Sequence, residues 1–203
     1  ENLHYLRPEH CRQRQSCTVV GGDLGTVACL ARLGHPQLGR SLNFEVAADE
    51  LEVLFKDNLQ RGVLNLSGKK IGDKGLTLLL KQEFLKDLKK MDLRYNEISP
   101  AGAKMLANTP TFKKLKILIL KHNFFSDEGA IALAKSNSFP KLENLQLGWN
   151  EVRDAGALAL AESQNFPKLK KLDLRGNFLA GQTKDVLRAS FSHLRSLRIY
   201  QSE

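Results

Sequence analysis

Apolar residues alternate with polar ones in short stretches of the chain, and each stretch is followed by a segment with helical spacing. Apolar residues stand at 88, 91 and 93, and again at 115, 118 and 120, with the last two of each set two residues apart. This spacing is typical of a strand with one buried face. Ala103, Leu106 and Ala107 then follow at helical spacing. The pattern predicts a unit made of a short strand, a turn and a helix.

The unit repeats every 27 residues. The segments "MDLRYNEISPAGAKMLA", "LILKHNFFSDEGAIALA" and "LQLGWNEVRDAGALALA" superimpose without a gap, which aligns Asn96, Asn123 and Asn150. Asn177 follows one further step of 27 residues along the chain. A single unit cannot bury its own apolar face, so we expect stacked units that share one core. We expect the asparagine amides to bond the backbone of neighbouring turns. A second column is predicted to form a stacked spine inside: Leu85, Phe112, Phe139, Phe166 and Phe191.

Two sequence pairs predict where helices begin. Ser99-Pro100 and Ser126-Asp127 each offer a hydroxyl that can cap a helix, followed by Pro or Asp at the first helical position. We therefore expect helices to start at these two pairs.

The pattern L-x-x-L-x-L-x-x-N, followed by a G-A-x-x-L-A helix, resembles the leucine-rich repeats of the ribonuclease-inhibitor type. "DAGALALA" is similar to the bacterial GALA-type repeats. The resemblance implies an α/β fold, a right-handed leucine-rich-repeat solenoid with a parallel sheet on the concave face and helices on the convex face. We expect residues 63–203 to form the 27-residue repeats and residues 1–62 to form an N-terminal cap with degenerate repeats. The uniform repeat length and the few cysteines depart from the ribonuclease-inhibitor pattern, which argues against nuclease inhibition.

The residues between the strand leucines are expected to stand on the concave face. Tyr95, His122 and Trp149 follow one another on three adjacent strands, about 4.8 Å apart. Because aromatic and arginine side chains are enriched at protein-binding hot spots, this strip predicts a partner-binding site. The alternative is an indole that folds over the edge of the ladder and covers neighbouring leucines. We also expect Gly148 to leave open space beside the indole.

Further candidate binding residues surround this strip. They are the basic residues Arg94, Lys121 and Arg175, the polar residues Asp92, Gln146 and Asp173, and the pair Ile117 and Ile119. The two isoleucines stand where other units carry polar residues, and an exposed apolar pair among charges is typical of a contact surface.

Charge is uneven along the chain and indicates an acidic partner. Residues 63–203 hold 24 Lys/Arg against 14 Asp/Glu, whereas residues 1–62 hold 7 against 8. A basic rim is predicted just before the strands, at Lys113, Lys114, Lys116, Lys141, Lys168, Lys170 and Lys171. A positive surface speeds encounter with an acidic protein. The alternative partner is nucleic acid or another polyanion, which would use the same rim and the concave aromatics. Asp92 and Asp173 on the same face disfavour it.

Other function classes find little support in the sequence. No nucleophile, base and orienting acid surround His122, so we expect no enzyme activity and no cofactor. Cys11, Cys17 and Cys29 lack the paired spacing of a zinc module, which favours free thiols, no metal and a reducing compartment such as the cytoplasm. No apolar run is long enough to span a membrane. The GALA-type resemblance implies a bacterial effector, acting in a host cytosol, or an effector regulator. Partner identity and oligomeric state do not follow from the sequence.

Overall fold

The computed structural model describes residues 48–110 and 112–200. Most of the expected N-terminal cap, together with Cys11, Cys17 and Cys29, lies outside these ranges. The expected division at residues 62 and 63 therefore stays a prediction.

Helices and strands alternate through the described residues, and the strands form one sheet in the order β1 to β7. The strands are Leu59–Gln60, Val63–Asn65, Lys90–Asp92, Ile117–Ile119, Asn144–Gln146, Lys171–Asp173 and Ser196–Arg198 (β1 to β7). The helices are Ala48–Asp57, Gly72–Leu79, Pro100–Asn108, Ser126–Ala134, Asp154–Glu162 and Gly181–Ser190 (α1 to α6), with a 3-10 turn at Glu83–Asp87. Within the described ranges, no helix is both long and apolar enough to cross a membrane.

Strands β2 to β7 pair in parallel with the register that the repeat predicts. Leu64 lies opposite Met91, Met91 opposite Leu118, and so on in steps of 27 residues up to Leu172. Leu172 then pairs with Leu197, because the final repeat arrives two residues early. These parallel strands, alternating with helices, confirm the α/β solenoid of leucine-rich repeats.

The first strand was not expected from the repeat, because it runs antiparallel to its neighbour. Strands β1 and β2 form a hairpin whose two-residue turn is Arg61-Gly62. Both turn residues have positive φ, 49° and 78°, as the type I′ hairpin turn requires. The helix before it, α1, carries Asp49 and Glu50 in its first turn, which suits the positive end of the helix dipole.

The core lies between the sheet and the row of helices. The central residue of each strand from β2 to β6 is buried, and so are the helix positions that the sequence places inward. The expected spine is present: the rings of Phe112 and Phe139 stack with centroids 5.3 Å apart. Phe166 is only partly buried, whereas Leu85 and Phe191 are in the core.

The asparagine column bonds successive turns, as predicted. Asn123 Oδ1 accepts from the N–H groups of Asn96 and Ile98, each at 3.1 Å. Its Nδ2 donates to the carbonyls of Leu93 and Leu120 at 2.9 and 2.8 Å. Each buried amide thus satisfies backbone groups that have no partner in the strand ladder.

One of the two predicted helix starts is right and the other is wrong in its mechanism. Ser99 caps α3, because its hydroxyl accepts from Ala101 N–H and Pro100 follows at the first helical position. Ser126 is itself the first residue of α4, and the N-cap position is held by Phe125, which makes no side-chain capping bond. Asp127 instead acts on the next repeat, where its Oδ1 accepts from Arg153 and Gly156 N–H at 2.7 and 2.9 Å. Its carboxylate therefore caps α5.

Candidate functional site

The aromatic side chains of the candidate site project from an unusual backbone position that recurs in five successive repeats of the described residues. Tyr95, His122 and Trp149 have φ of 56°, 54° and 54°, in the left-handed region. The equivalent residues at the two ends of the series are Gly68 and Gly176, with φ of 70° and 71°. Left-handed backbone is costly for residues with a Cβ, so the surrounding structure must hold it.

Backbone hydrogen bonds supply that restraint. The N–H groups of Gly68, Tyr95, His122 and Trp149 each donate to a carbonyl of the following repeat, at 2.8, 3.2, 3.1 and 2.9 Å. The four positions are therefore equivalent steps of one ladder. Side chains at these positions are therefore aligned along the carboxyl ends of the strands.

The three rings form a continuous column, which we name the aromatic stack (Tyr95, His122 and Trp149). The centroids of Tyr95 and His122 are 4.2 Å apart with an interplanar angle of 12°. The centroids of His122 and Trp149 are 4.8 Å apart with an angle of 10°. These separations match the spacing between strands, so the sheet itself sets the stacking distance.

The indole at one end of the stack is held by contacts on both sides. An ideal Cβ at Gly176 would lie 2.4 Å from Cδ1 and Nε1 of Trp149, so the ring occupies the space above this glycine. Lys121 Nζ is 5.7 Å and Arg175 Cζ is 5.8 Å from the ring centroid, within the range of cation–π contacts. Trp149 is only partly buried, so it is not part of the leucine core.

Asp173 organises the two cations. Arg175 Nη2 and Lys121 Nζ lie 2.8 and 2.7 Å from Asp173 Oδ2. Lys121 follows strand β4 and Asp173 lies in β6. The lysine side chain therefore crosses the repeat between them, at Gly148, which follows β5. The expected open space at Gly148 is therefore wrong: a Cβ there would lie 2.9 Å from the carbonyl oxygen of Arg175 and 3.7 Å from Asp173 Oδ1.

The pKa values of Asp173 and His122 are both shifted from their ordinary values. Burial acts to raise the pKa of Asp173, but hydrogen bonds from Arg175 and Lys121 outweigh burial and hold that pKa below its usual range. Burial lowers the pKa of His122, and the positive charges of Lys121 and Arg94 lower it further. The stack therefore contains a neutral imidazole at neutral pH.

Other predicted site residues are less accessible than expected. Asp92 is 3% exposed and its carboxylate binds the Arg94 side chain, with Nη2 to Oδ2 at 2.8 Å. Ile117 and Gln146 are partly buried. The expected exposure of Ile119 is wrong, because this residue is 7% exposed, between Asp92 and Gln146 in register on the two flanking strands.

The predicted basic rim is partly neutralised. Lys116 and Lys170 both pair with Glu143, at 3.3 and 2.6 Å, and Lys114 pairs with Asp87 at 2.7 Å. Lys170 and Lys116 hold the pKa of Glu143 below its ordinary value, and Lys170 has the larger effect. The remaining rim lysines form no ion pair with any residue that the structure describes: Lys113, Lys141, Lys168 and Lys171.

Sequence reasoning missed two exposed aromatic residues, which stand two repeats apart at the same repeat position. Phe124 and Phe178 are 50% and 63% exposed, and both occupy the position just after the repeat asparagine. Arg153 lies 5.7 Å from the Phe178 ring centroid. The alignment of repeats shows this pattern, because the same position is occupied in turn by Glu97, Phe124, Glu151 and Phe178.

Within the described ranges, no three His, Cys, Asp or Glu side chains are grouped to bind a metal ion.

A comparison with protein-family models agrees with this architecture. A family model described as "Leucine Rich repeat" matches residues 85–107, 113–134 and 140–161, about one third of the chain. No curated protein sequence matches. Among solved structures, the chain is similar to "Leiomodin-1 Actin-Binding Site 2 (ABS2)", with 17% identity, a TM-score of 0.44, and coverage of 75% of this chain and 78% of that one. The fold and the repeats together place this chain in the class of leucine-rich-repeat solenoids.

Proposed function

We propose that this protein is an interaction scaffold that binds a protein partner on the exposed face of its sheet, centred on the aromatic stack. Strands in a sheet are about 4.8 Å apart, whereas packed helices need about 8–10 Å. A row of strand–helix units therefore curves toward the strands, and the sheet becomes the concave side.

The observation that carries this proposal is the arrangement of the stack. Tyr95 is 51% exposed, yet its backbone is fixed by the ladder and its ring is supported by His122 and Trp149. An aromatic surface that is rigid before binding loses little entropy when a partner covers it. Such pre-ordered aromatic residues, with arginine nearby, are typical hot spots of protein interfaces.

The charge distribution supports an acidic partner. The repeats carry an excess of ten basic residues, 24 against 14. Beside the stack, the sheet face holds a shallow depression of about 190 Å³ whose lining includes Lys171 and Arg198 as well as Asp173. Lys171 and Arg198 form no ion pair with any of the described residues, so acidic groups on a partner would find positive charge there. We therefore expect association to slow at high salt.

The competing candidate, a nucleic acid, finds less support. A backbone of phosphates passing along the sheet would meet Asp92 and Asp173, and three of the rim lysines are already paired with acids of this chain. The two candidates differ in salt dependence, since contacts with several phosphates make the logarithm of affinity fall steeply and linearly with the logarithm of salt concentration.

The proposal extends to the kind of repeat and its setting. The L-x-x-L-x-L-x-x-N pattern and the G-A-x-x-L-A helix support assignment to the ribonuclease-inhibitor type, and "DAGALALA" supports similarity to the bacterial GALA-type repeats. A bacterial effector, or a regulator of one, working in its own cytoplasm or in a host cytosol, fits that assignment. A scaffold of this kind has no catalytic function.

The test compares proteins captured by wild-type bait with those captured by two variants. In the Tyr95→Ala/Trp149→Ala variant we expect the specific partner to be lost, with a dissociation constant raised at least 30-fold once the partner is purified, about 2 kcal/mol. Val186→Ala, which changes an exposed apolar residue of helix α6, is the matched control and should keep binding. Equal capture by all three baits contradicts the proposal.

A further inference from the structure

The aromatic stack has one closed end and one open end. At the closed end the Trp149 ring fills the space over Gly176, where an ideal Cβ would meet it at 2.4 Å. At the other end, an ideal Cβ on Gly68 would have no neighbour within 4 Å among the residues that the structure describes. The Tyr95 ring, which stacks on His122, therefore does not cover Gly68 as Trp149 covers Gly176.

Gly68 nevertheless belongs to the same ladder as the aromatic residues. Its N–H donates to the carbonyl of Arg94 at 2.8 Å, as that of Tyr95 donates to Lys121, and its φ of 70° lies in the same region. The repeat thus provides a further step for a ring at one strand spacing from Tyr95, but glycine leaves that step empty. We name the space beside Tyr95 and above Gly68 the open slot.

The residues around the open slot indicate the charge of what enters it. Lys69 is adjacent to Gly68 and exposed, and Arg94, whose side chain is 41% exposed, lies in the neighbouring repeat two residues after strand β3. Lys70 is also exposed and pairs with Glu97 at 3.3 Å. Arg94 is paired with Asp92 and Lys70 with Glu97, whereas Lys69 forms no ion pair with any residue that the structure describes. The three basic residues therefore leave an excess of positive charge, and they disfavour a guanidinium or ammonium group in the slot. They favour a neutral ring that is flanked by acidic residues.

We infer that the open slot receives an aromatic side chain of the protein partner, supplied by an acidic segment, and that this ring continues the stack beyond Tyr95. The inference rests on the proposed function and makes it more specific. Offset-stacked rings attract each other beyond the area that they bury, and here three rings are already ordered before the fourth arrives. The partner segment therefore carries a Phe, Tyr or Trp between Asp or Glu residues.

The experiment fills the slot from within the chain. Gly68→Tyr places a ring on a backbone position that Tyr95, His122 and Trp149 show to be compatible with an aromatic residue, and space is open there. The matched control is Gly72→Tyr, because Gly72 also has positive φ, 58°, and open space around an added Cβ, but stands at the start of helix α2. Both variants introduce the same ring and a similar backbone cost.

The probes are labelled synthetic peptides of about nine residues, all Asp and Glu except for a central Phe in one and a central Leu in the other. With wild-type protein we expect the Phe peptide to bind about tenfold more tightly than the Leu peptide. Gly68→Tyr should weaken the Phe peptide about tenfold, and Gly72→Tyr should leave its affinity unchanged within about twofold. Thermal melting of both variants checks that they are folded.

Three results would overturn the inference. The first is that wild-type protein binds the Phe and Leu peptides with equal affinity. The second is that Gly68→Tyr binds the Phe peptide as tightly as wild type does. The third is that wild type binds neither peptide at about 1 mM. If Gly68→Tyr binds like wild type while Tyr95→Ala/Trp149→Ala loses its captured partner, the slot is wrong and the proposed function stands. If oligothymidylate binds more tightly than the Phe peptide and Gly68→Tyr excludes it, the occupant is a nucleobase and both proposals fail.

Discussion

The indole of Trp149 occupies the space in which a side chain at Gly176 would begin, 2.4 Å from an ideal Cβ to ring atoms Cδ1 and Nε1. Gly176→Ala must therefore displace the ring or the backbone. We expect a loss of about 1–3 kcal/mol in the free energy of unfolding, measured by urea denaturation. Because Trp149 is the only tryptophan, its emission should also shift to longer wavelength as the indole moves into water.

Gly68→Ala separates the two causes of that loss. Gly68 has nearly the same φ, 70° against 71°, but its added Cβ meets no atom of the described residues within 4 Å. We expect only the backbone cost of left-handed conformation, about 1 kcal/mol, and an unchanged emission spectrum. A loss as large as that of Gly176→Ala would show that the contact with Trp149 contributes nothing.

The asparagine column yields a second prediction, because its members are not equally bonded. Asn123 uses both ends of its amide, whereas Asn150 donates to the carbonyls of Leu120 and Gly148 but its Oδ1 accepts no hydrogen bond among the described residues. Asn123→Ala leaves two buried N–H groups without a partner, so we expect a loss of about 3 kcal/mol in urea denaturation. Asn150→Ala should cost about half as much. Equal losses would contradict this reading of the column.

The repeat period was sufficient to predict much of the fold. A constant step of 27 residues aligns strand with strand, so the register, the buried leucines, the asparagine column and the line of Tyr95, His122 and Trp149 all follow from it. Columns are predictable because a solenoid places equivalent residues of neighbouring repeats side by side.

Contacts between different columns could not be predicted in this way. The ion pair between Lys121 and Asp173 spans a whole repeat. It can form because the intervening repeat has a glycine, Gly148, at the position that the lysine side chain crosses. The antiparallel hairpin at Arg61-Gly62 depends on a local turn that appears once. Such features depend on the particular residues of one repeat, which the period does not specify.

Capping between repeats provides a third prediction. Asp127 accepts hydrogen bonds from two N–H groups at the start of helix α5, where its charge also meets the positive end of the helix dipole. Asp127→Ala should lower the free energy of unfolding by about 1–2 kcal/mol. The adjacent Glu128 is the control, because its pair with Lys104 is exposed to solvent at both ends. Glu128→Ala should cost less than about 0.5 kcal/mol, and a comparable loss for both variants would disprove the capping role.

The position of His122 between two rings makes stability depend on pH in a defined direction. Its pKa in the folded protein is lowered, first by burial and then by Lys121 and Arg94, so the unfolded chain takes up a proton at this residue more readily than the folded chain does. Stability from this group is therefore complete above the ordinary imidazole pKa of about 6.5, and it falls as the pH drops through that value toward the lower folded pKa. We expect urea midpoints measured between pH 7.5 and about pH 5 to decline more steeply for wild type than for His122→Phe, which keeps a stacked ring but cannot titrate. The comparison between the two proteins removes the contribution of the other histidines, which both retain. Parallel curves would show that protonation of His122 costs the folded state nothing, and that the stack accepts an imidazolium as readily as an imidazole.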